Sequence, residues 1–364
     1  MDTARRSDEG SAGPFADVGR EGAADVGTWR TDRRRLLAPA GASLARPKIT
    51  HCTGAAVALA LSAGARAEAC TIIDAYAPVP AVAAATAGQP DAAQLAAFER
   101  AVAQRHPGLY RKDVLGVAPG PVMDRLILRA LAAARSDPPS PAFVSGLRDD
   151  IARRLARFRR LPGFRCGFDT YLADTLGQMD GAGRVVDGRP ALVIGVGALQ
   201  TESRSISLRM LITHEIFHRY HDEVGGFSDD PADRQAIWRA LWAEGLATYA
   251  SKVLTPGAST GDALMLPKDL EARAAPMTRE LASALLAAAD RIDAGVFRTY
   301  FTSGNADVAR RGLPWRSGYY IGYLVAERLA HRFSLAQLAH LRGEDAHRLV
   351  LETLQQLQRD GGGG

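Results

Sequence analysis

The 364 residues include only three cysteines and eight histidines, and aromatic residues make up 7% of the chain. No apolar run is long enough to span a bilayer, since the one near the N-terminus, Ala55 to Leu61, is far too short. There is also no basic stripe interleaved with aromatics, so the electrostatic footprint of a nucleic-acid binder is missing. The formal charge of +5 does not change this: residues 1–67 hold ten Arg/Lys against seven Asp/Glu, leaving 35 against 33 in the rest. The body is close to neutral. Arginine greatly outnumbers lysine, which together with abundant alanine reads as base-composition bias. No internal repeat is found. The length permits one large domain, or two modest ones, with an ample core.

The N-terminal residues do not read as part of a fold. Ser, Gly, Asp and Arg dominate up to Arg30. The order then becomes basic (Arg33 to Arg35, Lys48), apolar (Ala55 to Leu61) and small (Ala65-Arg66-Ala67, Ala67-Glu68-Ala69). That is the layout of a secretory signal peptide, or of a twin-arginine signal if Arg33-Arg34 is its mark. Export to the periplasm or the exterior is expected, with no integral membrane segment after cleavage. Ala67-Glu68-Ala69 is a poor lipobox, so lipid anchoring through Cys70 is the lesser reading. Cys52 would leave with the signal. Cys70 and Cys166 would remain and could pair in an oxidising compartment or stay as free buried thiols.

The expected organisation is a signal and extension over 1–67, an extended Ala/Pro-rich linker over 68–90, and a single domain over 91–360. Within that domain, 91–161 reads as helical. Asp91 is a plausible N-cap for Ala92 to Gln104, and Val122 to Arg135 and Pro141 to Leu161 follow with helical spacing. Residues 162–223 read as a small sheet plus a central helix. Phe164, Cys166 and Phe168 alternate, Ala191 to Leu199 is a strand bounded by turn signals, and Asp180-Gly181 is a tight turn. Residues 224–360 read as mainly helical, over Ala232 to Val253, Thr278 to Ile292, Tyr319 to Phe333 and Ala346 to Gln358. The fold class is α+β.

The chemistry concentrates in His214-Glu215-Ile216-Phe217-His218. Residues four apart share a helix face, so both imidazoles can reach one ion. Leu208, Leu211, Ile212, Ile216 and Phe217 imply a buried helix, where two imidazoles are costly unless coordinated or hydrogen-bonded. Zn2+ would satisfy both, and Glu215 would take a proton from the water the metal acidifies and carry it to a leaving amine. A third ligand is needed. Glu244 is the candidate, because Gly245 and Ala247 would let a second helix approach the first, and Thr248 could hydrogen-bond a ligand. Asp222 and Glu223 stand in reserve. Tyr319, Tyr320 and Arg316 are candidate donors to a developing oxyanion. His221 is expected to face solvent, and Trp238 and Trp242 to pack in the core.

The set His214-Glu215-x-x-His218 followed by Glu244-Gly245-x-Ala247 resembles the gluzincin, thermolysin-like metallopeptidases. A narrower resemblance covers Pro107 to Leu341. His106 to Tyr110, Ile194-Gly195, the two metal motifs and Arg316-Ser317-Gly318-Tyr319-Tyr320-Ile321-Gly322-Tyr323 recur in this order in predicted zinc-dependent proteases related to gliding-motility lipoproteins. The resemblance implies a zincin-like fold, with the active helix packed on a small mixed sheet whose edge strand pairs with an extended peptide. Ala191 to Leu199 is the expected edge strand. One departure is a longer interval between His218 and Glu244, with Asp222 to Asp233 reading as an inserted loop. The expected function is a secreted zinc peptidase acting on peptide or protein substrates. The alternative is a noncatalytic metal-binding or chaperone-like envelope module.

Overall fold

The computed structural model describes residues 70–227 and 235–360. The signal-peptide reading, Cys52, the twin-arginine pair and the second half of the expected inserted loop fall outside these residues, while the first part of that loop, Asp222 to Gly225, is helix instead. A small four-stranded sheet and many helices make a mixed α+β architecture. Strands β1 (Ile72–Asp74), β2 (Asp169–Ala173), β3 (Gly181–Val186) and β4 (Arg189–Gly195) lie in the order β1-β2-β4-β3. β1 and β4 run parallel to β2, and β3 returns antiparallel to β4.

β4 is central. Ala191, Leu192, Val193 and Ile194 are all at most 1% exposed, the continuous apolar run of a strand covered on both faces. It ends at Gly195, where the chain becomes the helix Val196–Glu202, so the expected strand Ala191 to Leu199 is half strand and half helix. The edges of the sheet are β1 and β3, and β3 begins at Gly181, within the expected Asp180-Gly181 turn. Gly181-Ala182-Gly183 lacks the branched and aromatic residues that usually mark a strand. The tight turn also lies elsewhere: Val186 pairs with Arg189 around Asp187-Gly188, both at positive φ (50° and 77°), the backbone of a type I′ hairpin. The alternating Phe164, Cys166 and Phe168 precede β2 rather than forming a strand.

Residues 70–90 are not a linker. β1 pairs with β2, and the helix Val79–Ala85 buries Val79 and Ala83 completely. Its alanines pack against the helix Pro121–Ser136, and three residues of strand are too few to show a period in sequence. A Cys70–Cys166 disulfide, with its Cα atoms 5.4 Å apart, ties the entry to β1 to the approach to β2. The expected helices occur near their expected places, including Pro121–Ser136, Pro141–Phe158, Thr278–Ala288 and Gly343–Asp360. Asp91 is the first helical residue rather than the cap, a place taken by Pro90.

Three helices build the centre: the histidine helix Leu208–Gly225, the glutamate helix Ile237–Val253 and the tyrosine helix Ser317–Ala330. The histidine helix is buried on every face from Met210 to His221 and ends at Gly226 in the left-handed cap conformation. Its Phe217 and Tyr220 form an aromatic cluster with Phe158 and Phe164. The Tyr220 hydroxyl donates to Pro162 O at 2.9 Å, and the buried Arg154 guanidinium donates to Thr213 Oγ1 at 2.6 Å. Gly245 faces the tyrosine helix, not the histidine helix as expected. A Cβ there would lie 2.1 Å from the Gly322 carbonyl carbon, and one on Gly322 would lie 2.4 Å from Leu241 O. These two helices therefore touch backbone to backbone. Among the described residues no helix is long and apolar enough to cross a membrane.

The disulfide closes a 96-residue separation, so the Cys70→Ser/Cys166→Ser double variant is expected to lose about 2–4 kcal/mol of stability by freeing the unfolded chain. Urea unfolding monitored by far-UV circular dichroism tests this, and an unchanged midpoint would exclude a stabilising role.

Candidate metal centre

His214 and His218 sit one turn apart in the middle of the histidine helix, 3% and 5% exposed. Their Nε2 atoms are 3.0 Å apart. Glu244 reaches them from the glutamate helix, its Oε2 lying 3.2 Å from His214 Nε2 and 3.4 Å from His218 Nε2. Four ligands at about 2.05 Å around tetrahedral zinc stand about 3.3 Å from one another. The three observed separations are close to that edge, so the side chains already describe one face of a coordination tetrahedron. Among the described residues, these three are the one His/Cys/Asp/Glu group able to hold a metal.

Protonation states suit coordination. Burial lowers the His214 pKa and favours the neutral imidazole that can act as a ligand. Burial alone would raise Glu244, but the His218 and His214 imidazoles beside it outweigh that and hold it well below the usual carboxylate range. The donor set is thus two imidazoles and one carboxylate. Neither reserve ligand is drawn in. Glu223 accepts from the Arg165 and Gly167 backbone N–H groups at 3.0 and 2.6 Å, and Asp222 lies 3.6 Å from Arg219. Thr248 does not support a ligand side chain either, because its hydroxyl donates to the Glu244 backbone carbonyl at 2.7 Å.

Glu215 lies beside the cluster, 8% exposed, on the wall of a cavity of about 410 Å³ that also contains His214, His218 and Glu244. β3 passes directly over it. A Cβ on Gly181 would fall 2.7 Å from Glu215 Cγ, so only glycine lets the strand approach this closely. Ala240, Ala243, Phe297, Phe301 and Met265 give the cavity an apolar side, while Asp180, Arg184, Arg316 and Tyr319 give it polar groups.

Of the two candidate phenols the structure brings in one. The Tyr319 ring stacks 6.2 Å from that of His214 at an interplanar angle of 28°, and its hydroxyl hydrogen-bonds to Glu244. Burial first, and then the Glu244 charge, push its pKa up and keep the phenol protonated. Tyr320 points away from the cavity and bonds Thr278, because successive residues on a helix face different directions. His221 does not face solvent. It is fully buried, stacked 4.5 Å from Phe227 and edge-on to Trp242, and burial holds it well below the ordinary imidazole pKa. Trp238 and Trp242 are core residues, as expected.

Sequence reasoning missed Gly181, Asp180 and Glu202. Asp180, on the cavity wall, hydrogen-bonds Glu202, and burial followed by the Asp180 charge pushes the Glu202 carboxyl up to about 7, with Arg316 opposing. Nothing in their spacing, 22 residues apart, announces the pair. Comparison with protein-family models, with curated proteins and with solved structures finds no match to this chain.

Two outcomes are expected. Zn2+ at 1,000 times its dissociation constant should stabilise the protein by about 4 kcal/mol. Glu244→Ala, His214→Ala and His218→Ala should each abolish most of that rise in thermal midpoint, as read by calorimetry with and without the ion. Glu202 has a folded pKa of about 7, above its unfolded value, so the folded state binds the extra proton and wild-type stability should fall as pH rises from about 4.5 through 7. Glu202→Gln should flatten that fall; an identical pH slope in both proteins would remove the shared proton.

Proposed function

We propose that the protein is an exported zinc-dependent peptidase of zincin-like fold, akin to the gluzincins. The observation that carries this reading is the meeting of His214, His218 and Glu244 at 3.0–3.4 Å, with Glu215 buried beside them on a shared cavity. Two imidazoles and a carboxylate suit zinc, which when bound acidifies a water and polarises a carbonyl. Glu215, next in sequence to one ligand, accepts the proton of the attacking water and delivers it to the departing amine. The protonated Tyr319 phenol, held between His214 and Glu244, is the donor for the oxyanion that develops on the scissile carbonyl.

An extended peptide lies alongside β3, with Gly181 and Ala182 against its backbone and the apolar side of the cavity around one of its side chains. β3 takes the role that the sequence reading gave to Ala191 to Leu199. The Cys70–Cys166 bond suits an oxidising compartment and so supports export.

The test uses the zinc-loaded protein and Glu215→Ala on a mixed peptide library. Chelator-sensitive cleavage is expected from the wild type, falling by at least about 10²-fold in the variant while zinc content stays equal. Equal cleavage by both proteins would refute the mechanism, and no cleavage by the wild type would favour the binding-module reading.

A further inference from the structure

Arg316 forms part of the same cavity wall as His214, Glu215 and Glu244. Its backbone is left-handed, with φ at 58°, a conformation that costs free energy in a residue with a side chain and persists only where the surroundings impose it. The surroundings here are tight. Two residues on, a Cβ at Gly318 would lie 2.5 Å from the Phe301 ring, and Gly322 is in backbone contact with Gly245. The start of the tyrosine helix is therefore locked, and Arg316 is its N-cap residue.

The guanidinium lies over the Tyr319 ring, 4.1 Å from its centroid. No hydrogen bond or ion pair engages it among the described residues, and its Nε is withdrawn from solvent with no acceptor.. The nearby acids do not take up its donors: Asp180 and Glu202 bond each other, and Arg316 acts on Glu202 only through space. A guanidinium is always charged and offers five N–H donors in a planar fork that matches a carboxylate. Stacking on a phenol that touches a metal ligand fixes that fork relative to the reaction centre.

We infer that Arg316 is the anchor for a carboxylate of the substrate, so that the site selects peptides carrying a carboxylate close to the scissile bond. What is cut rests on the peptidase reading above; what is bound does not. The carboxylate has two sources, a free C-terminus or an Asp or Glu side chain. A bidentate pair with Arg316 accounts for either, and the apolar groups Ala243, Phe297 and Phe301 receive the neighbouring uncharged part.

The experiment uses the full zinc-loaded chain as wild type, Arg316→Gln and Arg316→Lys. The probes are four fluorescent forms of one short peptide: Glu with a free C-terminus, Glu with a C-terminal amide, Gln with a free C-terminus, and Gln with an amide. Binding by anisotropy and initial cleavage rate are both read, with thermal midpoint and zinc content as checks on folding. The wild type is expected to prefer a carboxylate form over the fully neutral form by roughly tenfold or more. Loss of preference on amidation assigns the C-terminus, and loss on Glu-to-Gln exchange assigns the side chain. In Arg316→Gln the ratio between charged and neutral peptides should collapse toward one, and Arg316→Lys, with charge but no fork, should keep an intermediate ratio. Equal binding of all four peptides by the wild type, or an unchanged ratio in Arg316→Gln, overturns the anchor. Carboxylate-dependent binding without cleavage would retain the anchor and sink the peptidase; cleavage indifferent to charge would do the reverse.

Discussion

Two imidazoles and a carboxylate held within 3.4 Å of one another inside a protein are costly unless something joins them. That cost is the constraint around which the central helices are arranged. A single turn of the histidine helix supplies two donors with no freedom to separate, and the third must come from a different helix. Glu244 can do so only if the glutamate helix is fixed in height and rotation. Its first turn is held by backbone bonds from Ile237 and Trp238 to Arg291 and Ala289, and its middle by the Gly245–Gly322 contact. The candidate metal face is thus set by packing some distance from His214, His218 and Glu244.

The same contact explains why the tyrosine helix enters the site. Gly245 directly follows the ligand Glu244, and Gly322 lies three residues after Tyr319, so bringing the two glycines together brings the carboxylate and the phenol together. A bulkier residue at either glycine would have to move one helix away from the other. The small residues near Glu244 therefore position its carboxylate against the Tyr319 phenol, while the histidine helix is held by the sheet on one side and by Arg154 on the other.

The candidate ligands were legible in the sequence because an interval of four residues has one geometric meaning on a helix, and because a buried helix bearing two imidazoles calls for a third donor. Helix positions were legible from apolar spacing, as in Pro141–Phe158 and Gly343–Asp360. The sheet was not. β1 is too short to show a period, β4 reads as one apolar run whether it continues as strand or as helix, and β3 opens with Gly181 where Glu215 occupies the space a side chain would need. Its glycine was read as a turn signal when it marks a close approach. His221 was misjudged for a related reason: its position near the helix end suggested solvent, but Phe227 folds back and covers it. The Asp180–Glu202 pair joins a loop to a helix end, a meeting that no local pattern encodes.

β3 clears Glu215 only at Gly181, and side chains on a strand alternate between faces with each residue. The alignment of Gly181 with the histidine helix is inherited from the pairing of β3 with β4, which the two-residue Asp187-Gly188 turn pins. A slip by one position would bring a methyl group or a carboxylate down onto Glu215. A hairpin tip six residues along the chain is thus the gauge that keeps the roof over the Glu215 carboxylate open.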